Sequence, residues 1–144
     1  MLTDEISRLY KKFRLINYRA LFGRIREKDG SLSATEAFAA DVVYLLDAPT
    51  ITRLAECLGI SQPNATYKVN NLAAKGYITK SPGADDRREC VLQVAEKFHA
   101  YYDTSDAFIG EAVERLRGKF SDEELARFDA MLRALNEELD HAEK

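Results

Sequence analysis

Apolar residues at Leu2, Ile6, Leu9, Tyr10, Phe13, Ile16, Ala20 and Ile25 recur at helical spacing through the opening segment. Arg8, Lys11, Lys12, Arg14 and Arg19 fill the other positions, so one face is apolar and the other wet. Asp29-Gly30 ends the pattern, and Ser33-Ala34-Thr35-Glu36 reads as a capping box, Ser33 capping and Glu36 reaching back. A second helix runs from Ala34 to Leu46 and stops at Asp47-Ala48-Pro49, because the residue before a proline avoids helix. A short helix from Ile51 to Leu58 has Thr50 as its cap and Gly59 as its terminator. Ser61 caps the next helix, Gln62 to Lys75, with Pro63 in its first turn and Gly76 after it.

The period then changes. Tyr77 to Lys80 and Cys90 to Val94 are short β-prone runs, joined by the turn-rich charged loop Ser81 to Glu89. From Ala95 the spacing is helical again through Phe98, Tyr101, Tyr102, Phe108, Ile109, Ala112, Val113 and Leu116, with Gly118 closing that helix. Ser121-Asp122-Glu123-Glu124 is another capping box. The last helix carries Leu125, Phe128, Leu132, Leu135 and Leu139 at alternating steps of 3 and 4, a heptad seam.

The informative stretch is Leu54-Ala55-Glu56-Cys57-Leu58-Gly59-Ile60-Ser61. A helix-turn-helix needs a small residue where its helices cross (Ala55), a glycine in the turn (Gly59) and an apolar residue after it (Ile60). Val69 and Leu72 anchor the second helix on the core, and the hairpin behind it makes the unit a winged helix-turn-helix. The plainer reading is an ordinary helical hairpin. The expected fold is mainly α with a small β-hairpin wing, in one domain over 1–144. Within it, 31–94 form the winged helix-turn-helix, and 1–30 and 95–144 the dimerisation helices.

Gly59-Ile60-Ser61, Leu72-Ala73-Ala74-Lys75-Gly76-Tyr77-Ile78 and Asp85-Asp86-Arg87-Arg88 together resemble the multiple antibiotic resistance regulator (MarR) family. Asp86-Arg87-Arg88 matches the family's Asp-x-Arg wing signature, and Lys75-Gly76 its ending of the recognition helix. The resemblance implies a homodimer joined through its terminal helices, repressing (less often activating) transcription, with the repression relieved by a small ligand or oxidant. Leu9, Phe13, Leu125, Phe128, Leu132, Leu135 and Leu139 are the candidate dimer interface. Where the family often places arginine on the recognition helix, this chain has Tyr67 and Asn71.

With Val69 inward, a step of ~100° per residue puts Asn64, Tyr67 and Asn71 near the opposite side. Asparagine pairs bidentately with adenine, so the expected partner is double-stranded DNA carrying a near-palindromic, A·T-rich operator. Gln62, Thr66 and Lys68 complete the candidate reading surface, and Ser61, Lys75 and Lys80 are candidate phosphate contacts. Arg87 or Arg88 enters the adjacent minor groove, while Asp86 braces the wing by pairing with an arginine. Tyr18, Phe22, Phe38, Tyr101 and Tyr102 either line a cleft for an unknown small-molecule effector or are plain core.

Composition changes this picture only at its edges. With 46% hydrophobic and 31% charged residues, 144 residues suffice for a core. The net charge of −3 tells against nucleic acid until it is located. Thr50 to Leu92 holds 6 basic and 4 acidic residues, whereas Tyr101 to Lys144 holds 6 and 12. No apolar run spans a bilayer and the first residues are acidic, so no membrane partner and a cytoplasmic location are expected. Cys57, in the helix-turn-helix, and Cys90, on a wing strand, read as buried small hydrophobes. A zinc sensor would need the distant His99 and His141 to converge with Cys90 or a carboxylate. No phosphate loop or nucleophile elbow occurs, so no enzyme, cofactor or metal is expected. From another class, the alternative is a winged-helix protein-interaction module without DNA binding.

Overall fold

In the computed structural model, residues 1–27, 32–102 and 107–142 are described. The order is α1 (Leu2–Glu27), α2 (Ala34–Leu46), α3 (Ile51–Leu58), α4 (Gln62–Ala74), β1 (Ile78–Pro82), β2 (Cys90–Val94), α5 (Glu96–Tyr102), α6 (Ala107–Arg117) and α7 (Asp122–Ala142). The chain forms two compact units, Met1–Thr104 and Ser105–Lys144.

Local chemistry sets most boundaries of the first unit. Ser33, Thr50 and Ser61 each accept the N–H three residues on, at 3.3, 3.1 and 3.3 Å, satisfying donors left open at the starts of α2, α3 and α4. Gly59 ends α3 at φ +65°, and Ile60 N–H reaches the Ala55 carbonyl at 3.1 Å. Gly76 turns the chain out of α4 at φ +82°, with Tyr77 N–H on the Leu72 carbonyl at 3.0 Å.

Beyond α2, Asp47 (φ 54°) and Ala48 (φ 58°) are both left-handed without being glycine, a conformation that disfavours L side chains. This double turn delivers Pro49 and Thr50 to the wing. Leu92 N–H donates to the Pro49 carbonyl at 2.8 Å, and Thr50 bridges Val91, so a short third segment backs β2. β1 and β2 run antiparallel with Ile78 opposite Val94 and Pro82 opposite Cys90. The first wing strand thus begins and ends later than the sequence expectation of Tyr77 to Lys80.

Leu21, Leu32, Ala40, Val43, Leu54, Val69, Leu72, Ile78, Leu92 and Phe98 form one core, so α1 and α5 share it with the winged helix. Where one helix was expected from Ala95 to Leu116, two are described, α5 and α6, and 103–106 between them lie outside the described residues.

The second unit is a helical pair. Lys119 N–H closes α6 on the Leu116 carbonyl at 2.8 Å. Ser121 and Glu124 form a full reciprocal capping box at 3.2 and 2.8 Å. No described residue of α6 or α7 is buried.

Candidate nucleic-acid interface

α4 buries Ala65, Val69 and Leu72, so the centre of its buried arc falls between Val69 and Leu72 rather than at Val69. The outward face turns by about a third of a residue step with it. Pro63, Tyr67, Asn70 and Ala74 are exposed, Tyr67 at 67%. Asn64, Ser61 and Gln62 are exposed too, whereas Thr66, Lys68 and Asn71 are half-buried. Asn70 therefore stands outward, and Asn71 stands aside.

Lys80 on β1 donates from Nζ to Asn70 Oδ1 at 2.7 Å, tying the wing to the outward face of α4. Lys75, at the end of α4, is placed differently from the other cations. Its Nζ lies 2.8 and 3.1 Å from the two carboxylate oxygens of Glu36 on α2. The ammonium expected on a phosphate is already engaged within the fold. Lys97 of α5 supplies a second tie, donating to the Lys75 carbonyl at 2.8 Å with its Nζ 4.7 Å from the Tyr77 ring centre. No local pattern announces either contact.

Burial raises the Glu36 carboxyl, but hydrogen bonds from Lys75 and Ser33 and the charge of Lys75 outweigh it, leaving Glu36 below its ordinary 4.5. A depressed carboxylate adds stability above the unfolded value and loses it as pH falls through the folded one. Glu36→Gln is therefore expected to lower the urea midpoint at pH 7 and to approach wild type below about pH 4. Parallel denaturation curves at both pH values check this; an equal loss at both would contradict it. Burial raises Asp41 on α2 above its ordinary 3.8, which acts in the opposite sense as pH rises.

The wing is built around Asp86. Its Oδ1 accepts the Arg88 N–H at 2.9 Å and lies 3.8 Å from Arg88 Nε. Gly83 N–H and the Glu89 carbonyl close the loop at 2.9 Å, and Glu89 N–H meets the Asp86 carbonyl at 3.1 Å. A Cβ on Gly83 would sit 2.6 Å from that Asp86 oxygen, so only glycine fits. Arg87 is exposed, and the Arg88 side chain is 95% exposed. Both project from a loop whose backbone is fixed.

Tyr18 lies 6.3 Å from Phe22 and 6.4 Å, edge to face, from Phe38, so these three exposed rings are brought together. Tyr101 is not with them: it is buried, 5.6 Å from the Tyr77 ring. The side chain of Tyr102 lies outside the described residues. Leu9 and Phe13 on α1 and Phe128, Leu132 and Leu139 on α7 are exposed, with Leu125 and Leu135 half-buried. Cys57 corrects an expectation. α3 turns Leu54 and Ala55 inward and leaves Cys57 exposed, while Cys90 is half-buried against the core. Among the described residues no three His, Cys, Asp or Glu side chains are placed to hold a metal, and no helix is long and apolar enough to cross a membrane.

A capped helix held across a glycine turn, with a hairpin wing beside it, defines a winged helix-turn-helix. The MarR family model matches residues 31–89, which hold the winged helix-turn-helix of this chain. FabT of Streptococcus pneumoniae, solved in complex with DNA, superposes at a TM-score of 0.57 with 22% identity, over 98% of this chain and 99% of that one. A MepR mutant from a multidrug resistant S. aureus clinical isolate gives 0.63 and 16%, over 96% and 97%. A MarR mutant from E. coli, complexed with operator DNA, gives 0.53 and 18%, over 94% and 98%. At these identities the likeness is one of fold.

Proposed function

We propose that this chain is a homodimeric, cytoplasmic transcriptional repressor that grips a near-palindromic, A·T-rich operator and is released by a small-molecule effector. The observation that carries the reading is the shared surface of α4 and the wing: Tyr67 and Asn70 outward on the helix, Arg87 and Arg88 exposed on the adjoining loop. An arginine-free recognition helix rich in asparagine suits A·T pairs, and exposed wing arginines suit the narrow minor groove of A-tracts. FabT, MepR and MarR have each been solved with DNA, which supports the same use of the fold here. Two copies related by a two-fold axis meet half-sites about one helical turn (~34–36 Å) apart. Tyr18, Phe22 and Phe38 are the aromatic group available to an effector.

The test is salt. Binding to an A·T-rich duplex is expected to weaken linearly on a log–log plot, with a slope of about −0.9 per neutralised phosphate. Arg87→Ala/Arg88→Ala is expected to make that slope shallower by about 2. A protein that binds no duplex at low salt is an interaction module instead.

A further inference from the structure

We propose that a cavity behind the wing binds a small organic ammonium ion, its charge on Asp47 and its apolar body on Val43, Ala48 and Val94. The cavity, about 360 Å³, lies where the end of α2, the left-handed turn after it, β2 and α5 meet. That volume is at the small end of the range for ligand pockets. Tyr18, Phe22 and Phe38 are not among its walls, so it is a second place for a small molecule. The inference stands without the DNA reading.

The walls set the chemistry. Tyr44 of α2 and His99 of α5 meet edge to face with ring centres 5.9 Å apart, and the buried Phe98 packs against both. Val43 is buried and Ala48 and Val94 are half-buried, so apolar surface adjoins the rings. Asp47 brings the one full negative charge, and no wall residue is a lysine or arginine. Among the described residues, none pairs with the Asp47 carboxylate. Asp47 is also the C-cap of α2, where the exposed carbonyls and the helix dipole already favour a cation over an anion. Its carboxylate is therefore badly placed unless something positive meets it. The backbone adds to that cost, because Asp47 and Ala48 are both left-handed, where glycine sits without strain. An organic anion would add to the unbalanced charge. A metal ion would lack a third protein ligand among the described residues. An ammonium on a short hydrocarbon meets the carboxylate, the amide oxygen of Gln93, the helix end and the aromatic ring of Tyr44.

The experiment is calorimetric titration of the full-length protein with phenethylammonium, the neutral 2-phenylethanol and the anionic phenylacetate, with NMR to locate the ligand. Phenethylammonium is expected to bind about 10-fold tighter than 2-phenylethanol, the share of one charge-assisted hydrogen bond, and phenylacetate weakest of the three. The amine is expected to shift the methyl signals of Val43, Ala48 and Val94. Asp47→Asn keeps the size, tolerates the left-handed turn and removes the charge from the helix end. It is expected to melt no lower than wild type, yet to bind the amine no better than the alcohol. A carboxylate with only a structural role would lower the melt and leave the ligand preference alone. Equal binding of amine and alcohol by the wild type overturns the site. So does an unchanged preference in Asp47→Asn, or a set of shifts confined to Tyr18, Phe22 and Phe38. A wild type that binds neither compound overturns it as well, and leaves the reading of α4 and the wing where it was.

Discussion

Leu132→Asp is expected to convert a dimer into monomers or insoluble protein. No described residue of α6 or α7 is buried, yet Phe108, Val113, Phe120, Phe128, Met131, Leu132 and Leu139 are all large and exposed. An open apolar groove of about 500 Å³ runs along the helical pair, lined by Leu116, Phe120, Leu125, Phe128 and Met131 with Glu124 and Arg127 at its edges. Water-exposed apolar surface on this scale marks an interface, and the heptad spacing of Leu125, Phe128, Leu132, Leu135 and Leu139 suits a helix of a second copy. Leu132, 39% exposed, lies at the middle of that seam. A carboxylate placed there and covered by a partner would be desolvated without a counter-charge, a cost of several kcal/mol. Leu132→Met keeps volume and polarity and is expected to remain dimeric. Sedimentation velocity at micromolar concentration decides it; a wild type that runs as a monomer contradicts the proposed assembly. Because a palindrome rewards two linked readers, the monomer is also expected to lose most of its operator affinity.

The elements of this fold were legible where neighbouring residues settle them. Ser33, Thr50, Ser61 and Ser121 cap helices by reaching three residues along the chain, and Gly59 and Gly76 end helices through their own φ. The contacts that organise the candidate interface join distant positions. Lys75 and Glu36 are 39 residues apart, and Lys97 reaches back 22 residues to the Lys75 carbonyl. Side-chain type alone made Lys75 look like a phosphate contact; packing of α2 against α4 engages it inside the fold. The outward face of α4 is turned from its expected direction for a related reason. One inward residue, Val69, fixes an axis only roughly, whereas Ala65, Val69 and Leu72 together turn the outward side toward Asn70. Cys57 shows the same limit, since α3 is too short for its pattern to fix which positions face inward. Nor does a strand pattern of one or two residues exist to announce the Thr50–Val91 bridge.

Phe98→Ala is expected to cost about 3–5 kcal/mol, a large share of the ~5–15 kcal/mol that holds a domain together. Phe98 is fully buried on α5, with its ring 5.4 Å from Tyr44 of α2 and 5.7 Å from His99. α5 leaves the wing directly: Ala95 N–H, one residue past β2, donates to the Tyr77 carbonyl at 2.9 Å, and Phe98 N–H returns to the Ala95 carbonyl at 3.0 Å. The ring therefore pins the far end of the wing against the same core that carries Val69 and Leu72 of the recognition helix. Truncation leaves a cavity at a junction of α2, β2 and α5, where capped helices on two sides resist collapse. The urea midpoint is expected to fall by about 2 M for an m-value of ~2 kcal/mol/M. Phe98→Leu fills most of the space and is expected to recover more than half of the loss. DNA affinity measured well below the midpoint is expected to drop further than the folded fraction alone explains, because β2 loses the packing that backs the wing. A Phe98→Ala variant that melts with the wild type would show that the core is closed without α5.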